Sequence, residues 1–284
     1  MGQPAIPDWL VFFFLSAPMP ELPEVEGAVR RLRRAVAGRT IARVELLHPS
    51  LRRRISAARL RSLRGAAIRT VERRGKHQLL TLNDGRVLHA HFRMTGDWHL
   101  DRSDDALPRF ARAAIVFDDG SRVVLDDPRA LSTLDLHPAG ADLALGLGPE
   151  PGDPALTPET FFERLSSKRG PIKPVLLDQG VIAGLGNIYA AEALWHARIA
   201  PAARASSLSR AQVRVLLSAI RRVIDRATGA RYTDASVSRL AVYDRAGKAC
   251  RRCGTPIVRI VQAGRSTYHC PTCQSSTSSS APLR

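Results

Sequence analysis

The stretch Met19-Pro-Glu-Leu-Pro-Glu-Val-Glu26 decides how the rest of this 284-residue sequence is interpreted. Met followed by Pro is a substrate for removal of an initiator methionine, which would leave Pro20 with a free secondary amine. Such an amine can attack an electrophilic carbon and form an iminium, the chemistry of Schiff-base catalysis. Glu21 adjoins the amine and could transfer a proton. Without further context, Pro-Glu ahead of a helix is also ordinary helix-start chemistry.

The first eighteen residues differ in character from the remainder of the chain. Residues 9–15 form an apolar run that is too short to span a bilayer as a helix. A secretory signal would require a basic residue before the apolar run, and this chain has none there. We therefore expect residues 1–18 to be an extension that is removed or that precedes the true start. Since no other segment reaches membrane length, we expect no association with a membrane.

The hydrophobic pattern downstream changes twice. Residues 21–37 repeat apolar side chains at spacings of four and three, which predicts a helix with one apolar face. A β-rich stretch comes next, to about Leu136, with turns at residues 83–85 and 118–120 that predict two hairpins in a sandwich or barrel. Residues 146–158 are rich in Gly and Pro and predict a linker. Helical periodicity then covers residues 158–167, 171–178, 187–196 and 209–226.

The chain has four cysteines, in two C-x-x-C pairs: Cys250, Cys253, Cys270 and Cys273. Two disulfides are possible, but a secreted framework normally spreads its cysteines through a small domain. Paired C-x-x-C knuckles at this spacing are typical of a tetrahedral four-cysteine zinc site. Four thiolates leave no open coordination position, so the predicted zinc is structural.

The charge is strongly positive. Lysine plus arginine total 43 and aspartate plus glutamate total 26, which gives a net charge of +17 at pH 7. A domain this basic usually binds a polyanion, most often nucleic acid. A GC-rich genome that favours arginine codons would produce the same excess, so composition alone leaves the partner open.

The block Gly184-Leu-Gly-Asn-Ile-Tyr189 combines two glycines with a predicted helix start. Asn187 is a good candidate to cap the helix, and free N–H groups with the helix dipole favour a phosphate there. A dinucleotide-binding fingerprint is the alternative, but Tyr189 stands where its third glycine should be and no βαβ unit surrounds it. An ordinary helix cap also explains the block.

The opening octapeptide resembles the start of bacterial formamidopyrimidine-DNA glycosylase, the family that also includes endonuclease VIII. The resemblance extends from Met19 to about Gln274 and includes four further blocks in the same order. These blocks are Arg73-Arg74-Gly75-Lys76, His91-Phe-Arg-Met-Thr-Gly96, the segment from Lys173 through Gly184-Leu-Gly-Asn-Ile-Tyr-Ala190, and the cysteine module.

The resemblance implies an α+β protein with an N-terminal helix and β-sandwich domain and a C-terminal helix-two-turn-helix domain with a four-cysteine zinc β-hairpin. The expected divisions are an extension (1–18), a catalytic β-sandwich domain (19–148), a helix-two-turn-helix DNA-binding domain (149–228), a zinc hairpin (229–274) and a disordered tail (275–284).

The resemblance also implies a bifunctional DNA glycosylase and abasic-site lyase of base excision repair. It would remove oxidised or ring-opened bases from duplex DNA and nick the abasic site by β,δ-elimination through a Schiff base on Pro20. One structural zinc ion is the expected cofactor, and duplex DNA with damaged bases or abasic sites is the expected partner. We expect a monomer that is cytoplasmic, at the bacterial nucleoid.

Two sets of site residues are implied by the resemblance. The catalytic set has Pro20 as nucleophile, Glu21 as proton-transfer group, Lys76 on the loop that approaches the lesion, and Arg265 as the arginine that the zinc hairpin inserts toward DNA. The DNA-binding set has phosphate contacts and side chains that fill the gap left by a flipped base: Lys173, Asn187, Tyr189, Met94, Arg129 and Leu131. A core position for Met94 and plain surface charges for Lys76 and Arg265 remain alternatives.

The sequence departs from the family at several positions. Leu131 stands where the family has Phe, Ala130 where a second Arg is usual, and Phe92 and Arg93 where the family has small or apolar residues. The segment 230–240 is shorter than the loop that covers the flipped base in the branch of the family that prefers 8-oxoguanine. We therefore expect formamidopyrimidines, oxidised pyrimidines or abasic sites to be processed better than 8-oxoguanine.

Two other functions remain open from the sequence. If residues 1–18 are retained, the Pro20 nitrogen is a non-nucleophilic amide, and the chain is a catalytically inactive damage- or DNA-binding protein of the same fold. A zinc-finger transcription regulator would explain the charge and the cysteines, but it leaves the N-terminal motif without a role.

Overall fold

The structure, a computed structural model, describes residues 20–228 and 240–275. The described residues divide into two compact units: unit 1 comprises Pro20 and residues 25–144, and unit 2 comprises residues 21–24, 145–228 and 240–275. The predictions for residues 1–18, for most of the short segment 230–240 and for the tail beyond residue 275 fall outside the described residues.

The first helix, α1 (Leu22–Val36), forms where the periodicity predicts it. Its apolar stripe of Val25, Val29, Leu32 and Val36 is buried in the core of unit 1. Spacings of three and four residues place these side chains on one helix face, so the stripe faces the core while charged residues cover the rest.

The arginines of α1 have internal partners. Arg30 pairs with Glu26 one turn away, and Arg31 donates to both carboxylate oxygens of Asp97 at 2.9 and 3.0 Å. The guanidinium of Arg33 donates to the carbonyl of Val71 at 2.7 Å. These three arginines therefore have acceptors within the protein.

Unit 1 is a sandwich of two four-stranded antiparallel sheets. Its strands are β1 (Ile41–Leu46), β2 (Ile68–Arg74), β3 (His77–Leu82), β4 (Val87–His91), β5 (Asp97–Arg102), β6 (Ala111–Phe117), β7 (Ser121–Asp126) and β8 (Thr133–His137). One sheet has the order β1-β6-β7-β5 and the other β2-β3-β4-β8. The two-residue turn between β2 and β3 and the turns after β3 and β6 bring consecutive strands together. Two short helices, α2 (Pro49–Arg52) and α3 (Ala57–Arg61), lie between β1 and β2.

Three strands give no clear sequence pattern, each for a physical reason. In β1 a register shift between Ile41 and Arg43 breaks the alternation of buried and exposed residues. In β5, an edge strand, Trp98 is the one buried residue, so the strand is polar in sequence. In β8 the alternation is regular but spans only five residues, with Leu134 and Leu136 buried.

Unit 2 is helical up to its C-terminal hairpin. Its elements are α4 (Pro158–Ser166), α5 (Ile172–Leu176), α6 (Asn187–His196), a 3₁₀ turn (Ala205–Ser207), α7 (Arg210–Thr228), β9 (Val258–Gln262) and β10 (Arg265–His269). These four α-helices coincide with the predicted segments to within two residues at each end. Within the described ranges, no helix is both long and apolar enough to cross a membrane.

Candidate functional site

Glu21 is a buried carboxylate that sits on the N-terminus of another helix. Its side chain is 1% exposed, and its oxygens accept the backbone N–H groups of Ile188 at 2.8 Å and Tyr189 at 3.3 Å. These N–H groups have no partner within α6, and the positive end of the helix dipole favours a carboxylate there. Pro20 is the residue immediately before Glu21, so the structure fixes Glu21 beside the proposed nucleophile.

The two glycines of the 184–189 block allow this approach. A Cβ at Gly186 would lie 2.3 Å from the carboxyl carbon of Glu21, and one at Gly184 would lie 2.5 Å from the side chain of Leu22. Gly184 also has φ of +87°, a left-handed conformation that glycine adopts without strain. The carbonyl of Gly184 accepts the N–H of Leu22 at 3.0 Å. The absence of side chains at Gly184 and Gly186 therefore leaves room for Glu21 and Leu22 to pack against this block.

This arrangement corrects two expectations about the block. The N-cap of α6 is Gly186 and not Asn187, and no side chain caps the helix in the usual way. The N–H groups of Ile188 and Tyr189 bind the Glu21 carboxylate, so these two donors are not directed at a phosphate. A protein carboxylate takes the position that the sequence suggested for an external anion.

Glu24 forms a second acidic group next to Glu21. One of its oxygens accepts the backbone N–H of Glu21 at 2.9 Å, and the other accepts the hydroxyl of Tyr189 at 2.5 Å. The first contact is half of a capping box, because Glu24 is the third residue of α1 and Glu21 precedes the helix. Burial, followed by the nearby Glu21 charge, raises the pKa of Glu24 to about 7, although the Tyr189 bond opposes the shift. Glu24 therefore gains and loses its proton near neutral pH.

Lys173 lies at the centre of a polar junction in unit 2. Its side chain is 1% exposed, and its ammonium donates to Oδ1 of Asn187 (2.5 Å), the carbonyl of Ser266 (2.9 Å) and the hydroxyl of Thr267 (2.7 Å). Burial, with a smaller contribution from the Arg265 charge, lowers the pKa of Lys173 to about 8. An ammonium has three donors, and all three are used here.

The junction differs from the expected phosphate contacts. Lys173 joins α5 to α6 and to β10, while the amide of Asn187 donates to the carbonyl of Ser266 at 3.0 Å. Tyr189 is 5% exposed, and its hydroxyl donates to Glu24. The ammonium of Lys173 and the hydroxyl of Tyr189 thus bond to acceptors within the protein, and their predicted contacts with phosphates stay a prediction.

Glu192 anchors the segment that begins after residue 239. Its buried carboxylate accepts the consecutive backbone N–H groups of Ala241, Val242 and Tyr243 at 2.8–2.9 Å. Burial raises the pKa of Glu192, while the three N–H donors oppose that shift. Tyr243 in turn hydrogen-bonds Asn187 and packs edge-on against Tyr268. A glutamate within a helix gives no sequence signal for such a contact.

The four cysteines meet at the base of the β9–β10 hairpin. Their sulfurs lie within 4.8 Å of one another, with Cys250 and Cys273 4.0 Å apart and Cys253 and Cys270 3.5 Å apart. A tetrahedral zinc with Zn–S bonds of about 2.3 Å requires S···S separations of about 3.8 Å. These distances fit zinc and are far longer than the roughly 2.05 Å of a disulfide.

Arg265 occupies the tip of the same hairpin. A two-residue turn, Ala263-Gly264, joins β9 to β10, and both residues have positive φ, at +47° and +72°. This geometry matches the right-handed twist of a tight hairpin. Arg265 begins β10 and is exposed, so the hairpin presents a cation at its end.

In unit 1, Lys76 occupies the tight turn between β2 and β3. Arg74 and His77 are the last paired residues, so Gly75 and Lys76 form the turn itself. Arg73, which belongs to the same block, pairs with Glu26 at 2.8 Å and donates to the carbonyl of Gly75 at 2.9 Å. Arg73 therefore shapes the turn that presents Lys76.

A second buried carboxylate, Asp127, organises the loop that carries the predicted wedge residues. Asp127 accepts the backbone N–H groups of Arg129 (3.1 Å), Leu131 (2.7 Å) and Ser132 (2.7 Å). The hydroxyls of Ser132 and Thr95 also donate to it. Although burial raises the pKa of Asp127, the bonds from Thr95, Ser132 and Leu131 outweigh it and lower the pKa.

Asp127 also joins the loop to the Met94 segment, because Thr95 comes directly after Met94. A Cβ at Gly96 would lie 2.4 Å from the hydroxyl of Ser132, which explains the glycine in this block. Met94 is half-buried, Arg129 is exposed, and Leu131 is 45% exposed. Asp127 therefore links the backbone that carries Arg129 and Leu131 to Thr95, the residue next to Met94, and no sequence pattern predicted these contacts.

Family models match three consecutive segments of the chain. Residues 19–134 match the formamidopyrimidine-DNA glycosylase N-terminal domain, and residues 147–238 match the H2TH domain of the same enzyme. Residues 247–275 match a zinc finger found in FPG and IleRS. With the sulfur geometry, this match identifies one structural zinc ion as the metal of the four cysteines.

Curated relatives and solved structures match about 90% of the chain. Formamidopyrimidine-DNA glycosylase of Symbiobacterium thermophilum is 42% identical over 273 residues, covering 90% of this chain and 89% of the relative. A Thermus thermophilus enzyme of that name is 40% identical over 274 residues, covering 90% and 98%. The Lactococcus lactis formamidopyrimidine-DNA glycosylase bound to DNA with an abasic site superposes with a TM-score of 0.84 at 31% identity, covering 90% of this chain and all of that one.

Proposed function

The chain belongs to the formamidopyrimidine-DNA glycosylase family, and on that premise we propose that Pro20 and Glu21 carry out its reaction on damaged DNA. The activity is that of a DNA glycosylase and abasic-site lyase in base excision repair. Its partner is duplex DNA that contains a damaged base or an abasic site. Chromosomal DNA in the nucleoid is the expected place of action.

In the proposed reaction the lone pair of the Pro20 amine forms a bond to C1′ of the sugar while the bond from C1′ to the base breaks. The departing base takes a proton. The Pro20 nitrogen, now bonded to C1′, gives up its N–H proton. Its lone pair then forms the C=N bond of an iminium as the bond from C1′ to the ring oxygen breaks, and that oxygen takes a proton. The iminium acidifies the proton on C2′, so loss of that proton expels the 3′ phosphate, and a second elimination expels the 5′ phosphate.

Glu21 is the proposed proton-transfer group, and Glu24 the group that sets its charge state. In addition to burial, the charge of Glu21 contributes to the raised pKa of Glu24, because ionising both acids places like charges near each other. Since the pKa of Glu24 is about 7, the pair has access to a proton at neutral pH. Glu24 is proposed as a positioning residue, because its contacts are to Glu21 and Tyr189.

The observation that carries this proposal is the placement of Glu21. A 1%-exposed carboxylate is held by two helix N–H groups, one residue from Pro20. If Glu21 served only to start α1, the close packing of Gly184 and Gly186 against this segment would not be needed. The fixed position is what general acid–base catalysis requires.

The DNA-binding roles are assigned from placement within each unit. The exposed Arg265 at the hairpin tip and Lys76 in the β2–β3 turn are proposed to contact phosphates near the lesion. Met94, Arg129 and Leu131 are proposed to fill the gap left by the flipped nucleotide. Lys173 and Tyr189 are proposed to act indirectly, by holding α6 and the hairpin in place.

Borohydride trapping on an abasic duplex tests the nucleophile. Two forms are compared: the full 284-residue chain with residues 1–18 intact, and a chain expressed from Met19 that has lost its methionine. Mass spectrometry verifies each N-terminus. A peptide bond delocalises the nitrogen lone pair, so the Pro20 form should trap and the full chain should bind DNA without trapping.

Equal trapping by the full chain would overturn Pro20 as nucleophile and make Lys76 the first residue to test. Failure of the Pro20 form to trap while it still binds DNA would favour the non-catalytic DNA-binding function. Loss of binding in both forms would contradict both functions.

Two measurements test whether the zinc hairpin and phosphate contacts hold the DNA: the effect of losing a zinc ligand and the dependence of affinity on salt. Zinc supplies the folding energy of so small a unit, so Cys253→Ser should lose productive DNA binding. Phosphate contacts release counterions, so affinity should fall steeply with salt. A Cys253→Ser protein that cuts DNA normally, or a log–log salt slope near zero, would contradict this mode.

We also propose that 8-oxoguanine is not the preferred lesion. Leu131 replaces an aromatic wedge, and the segment 230–240 is short. Single-turnover rates on matched duplexes with formamidopyrimidine, oxidised pyrimidine and 8-oxoguanine test this preference. A clearly faster rate for 8-oxoguanine opposite cytosine would overturn it.

A further inference from the structure

The outer face of the β2-β3-β4-β8 sheet carries four of the eight histidines in the chain. His89 and His91 are two residues apart on β4 and therefore point to the same face. His77 on β3 is directly opposite His91. His137 on β8 lies diagonally from His89, two positions along from Asp135, the residue that pairs with His89. Leu80, Leu88, Ala90 and Leu134, which point the other way, are buried in the core.

The rings of these histidines contact one another. Nδ1 of His77 lies 2.8 Å from Nε2 of His89, and the rings of His77 and His91 pack edge-on with centroids 4.7 Å apart. The ring of His89 lies 5.5 Å from that of His137, whose Nε2 is buried and has no hydrogen-bond partner. The cluster thus contains a nitrogen that the protein's own hydrogen bonds do not satisfy.

We propose that His77, His89 and His91 form a second metal site, for a divalent transition ion of the zinc, nickel and copper class, with His137 as an available fourth ligand. Two histidines at positions i and i+2 of one strand and a third on the neighbouring strand present three imidazoles to one ion. Imidazole suits this class of ion, whereas magnesium and calcium prefer oxygen ligands.

The distance between Nδ1 of His77 and Nε2 of His89 is close to the distance between two nitrogens bound to one metal ion. With Zn–N bonds of about 2.0–2.1 Å, a tetrahedral ion holds two ligand nitrogens about 3.3 Å apart. The 2.8 Å contact between His77 and His89 must therefore open by roughly half an ångström. The four cysteines are the one group of three or more ligand atoms already within 4.8 Å among the described residues, so the histidine rings must rotate to bind.

Metal binding would also change the existing hydrogen bonds of the rings. Binding does require His91 to release the backbone N–H of Arg93, which its Nδ1 now accepts.

The test uses untagged, zinc-loaded full-length protein and Ni²⁺ as the probe. Calorimetry with metal analysis should find one Ni²⁺ per chain with the cysteine-bound zinc retained, and Mg²⁺ should not bind. The double variant His77→Gln/His89→Gln should weaken Ni²⁺ binding by about tenfold or more, in line with the loss of metal contacts elsewhere. His99→Gln, an exposed histidine on β5, is the matched control and should bind as the wild type does.

Ring NMR of the unmodified protein provides a measurement that does not depend on variant folding. Paramagnetic Ni²⁺ should broaden the rings of His77, His89 and His91 before those of His48 and His99. Three results would each overturn the site. They are no Ni²⁺ bound in addition to the zinc, displacement of the zinc by Ni²⁺, and broadening that begins at other histidines. Unchanged binding in a folded double variant would also overturn it.

Discussion

Asp127 in unit 1 and Glu21 in unit 2 are both buried carboxylates that accept backbone N–H groups, those of a loop for Asp127 and those of a helix N-terminus for Glu21. Asp127 accepts three backbone N–H groups and two hydroxyls. Glu21 accepts two N–H groups at the start of α6, and a second acid, Glu24, lies beside it. The first carboxylate has many donors, and the second shares its surroundings with a like charge.

The difference in environment supports the proposal that Asp127 is structural and Glu21 transfers protons. Donors stabilise the charged form, and the net pKa of Asp127 is lowered. A neighbouring acid and burial favour the protonated form, and the pKa of Glu24 rises to about 7. Proton transfer at neutral pH needs the second environment, whereas holding a loop needs the first.

The largest effect is expected from Glu21→Gln. An amide cannot deliver the proton, and its NH₂ group faces the N–H donors of Ile188 and Tyr189. Removal of a damaged base should slow by about 10²–10⁴-fold, measured as single-turnover release of the base. Trapping on a preformed abasic site should fall less, because no base has to leave.

The exposed Glu163→Gln is the control for Glu21→Gln and should leave both activities unchanged. Base release at the wild-type rate by Glu21→Gln would remove Glu21 from the chemistry and leave it with a structural role like that of Asp127.

The next effect is expected from Gly186→Ala, which keeps the carboxylate but displaces it. The new Cβ would lie 2.3 Å from the carboxyl carbon of Glu21, so the carboxylate must move by about 1 Å. A displacement of that size costs on the order of 10²-fold in rate. Gly152→Ala is the matched control, because a Cβ at Gly152 meets no atom within 4 Å. Equal single-turnover rates for the two variants would show that the position of Glu21 is not critical.

Asp127→Asn tests the structural member of the comparison. An amide has one acceptor oxygen, so several donors of the loop lose their partner inside the protein. We expect a loss of unfolding free energy of about 2 kcal/mol, measured by urea denaturation, with weaker DNA binding because the loop carries Arg129 and Leu131. The exposed Asp104→Asn should be neutral in both measurements. Equal stability of the two variants would contradict the role of Asp127.

The smallest effect is expected from Glu24→Gln, and it depends on pH. The pKa of Glu24 is raised from 4.5 to about 7, so its contribution to stability is fully present below pH 4.5 and is lost as the pH rises through 7. The glutamine of the variant does not ionise. The difference in melting temperature, variant minus wild type, should therefore increase between about pH 5 and pH 8. We also expect the base-release rate of the wild type to change with pH near 7, and that change should be altered in the variant. Parallel melting curves at all pH values would show that Glu24 does not titrate in this range.

The sequence alone determined the elements with regular patterns. The stripe of α1, the longer helices of unit 2, the paired hairpins of the sandwich and the four-cysteine zinc site all follow from periodicity or ligand spacing, which depend on neighbouring residues. The resemblance carried by the blocks at residues 19–26, 73–76, 91–96 and 173–190 indicated the family, and the matched domains confirm it. The roles of the individual site residues remain predictions.

Only the tertiary structure decided which donors and acceptors meet. Glu21 binds N–H groups 167 and 168 residues away, Lys173 reaches carbonyl and hydroxyl groups 93 and 94 residues away, and Glu192 holds N–H groups about 50 residues away. No local pattern encodes such partners, because a carboxylate or an ammonium has the same intrinsic chemistry wherever it occurs in the chain. Its neighbours fix whether it binds DNA, moves a proton or holds a loop, and folding alone brings those neighbours together.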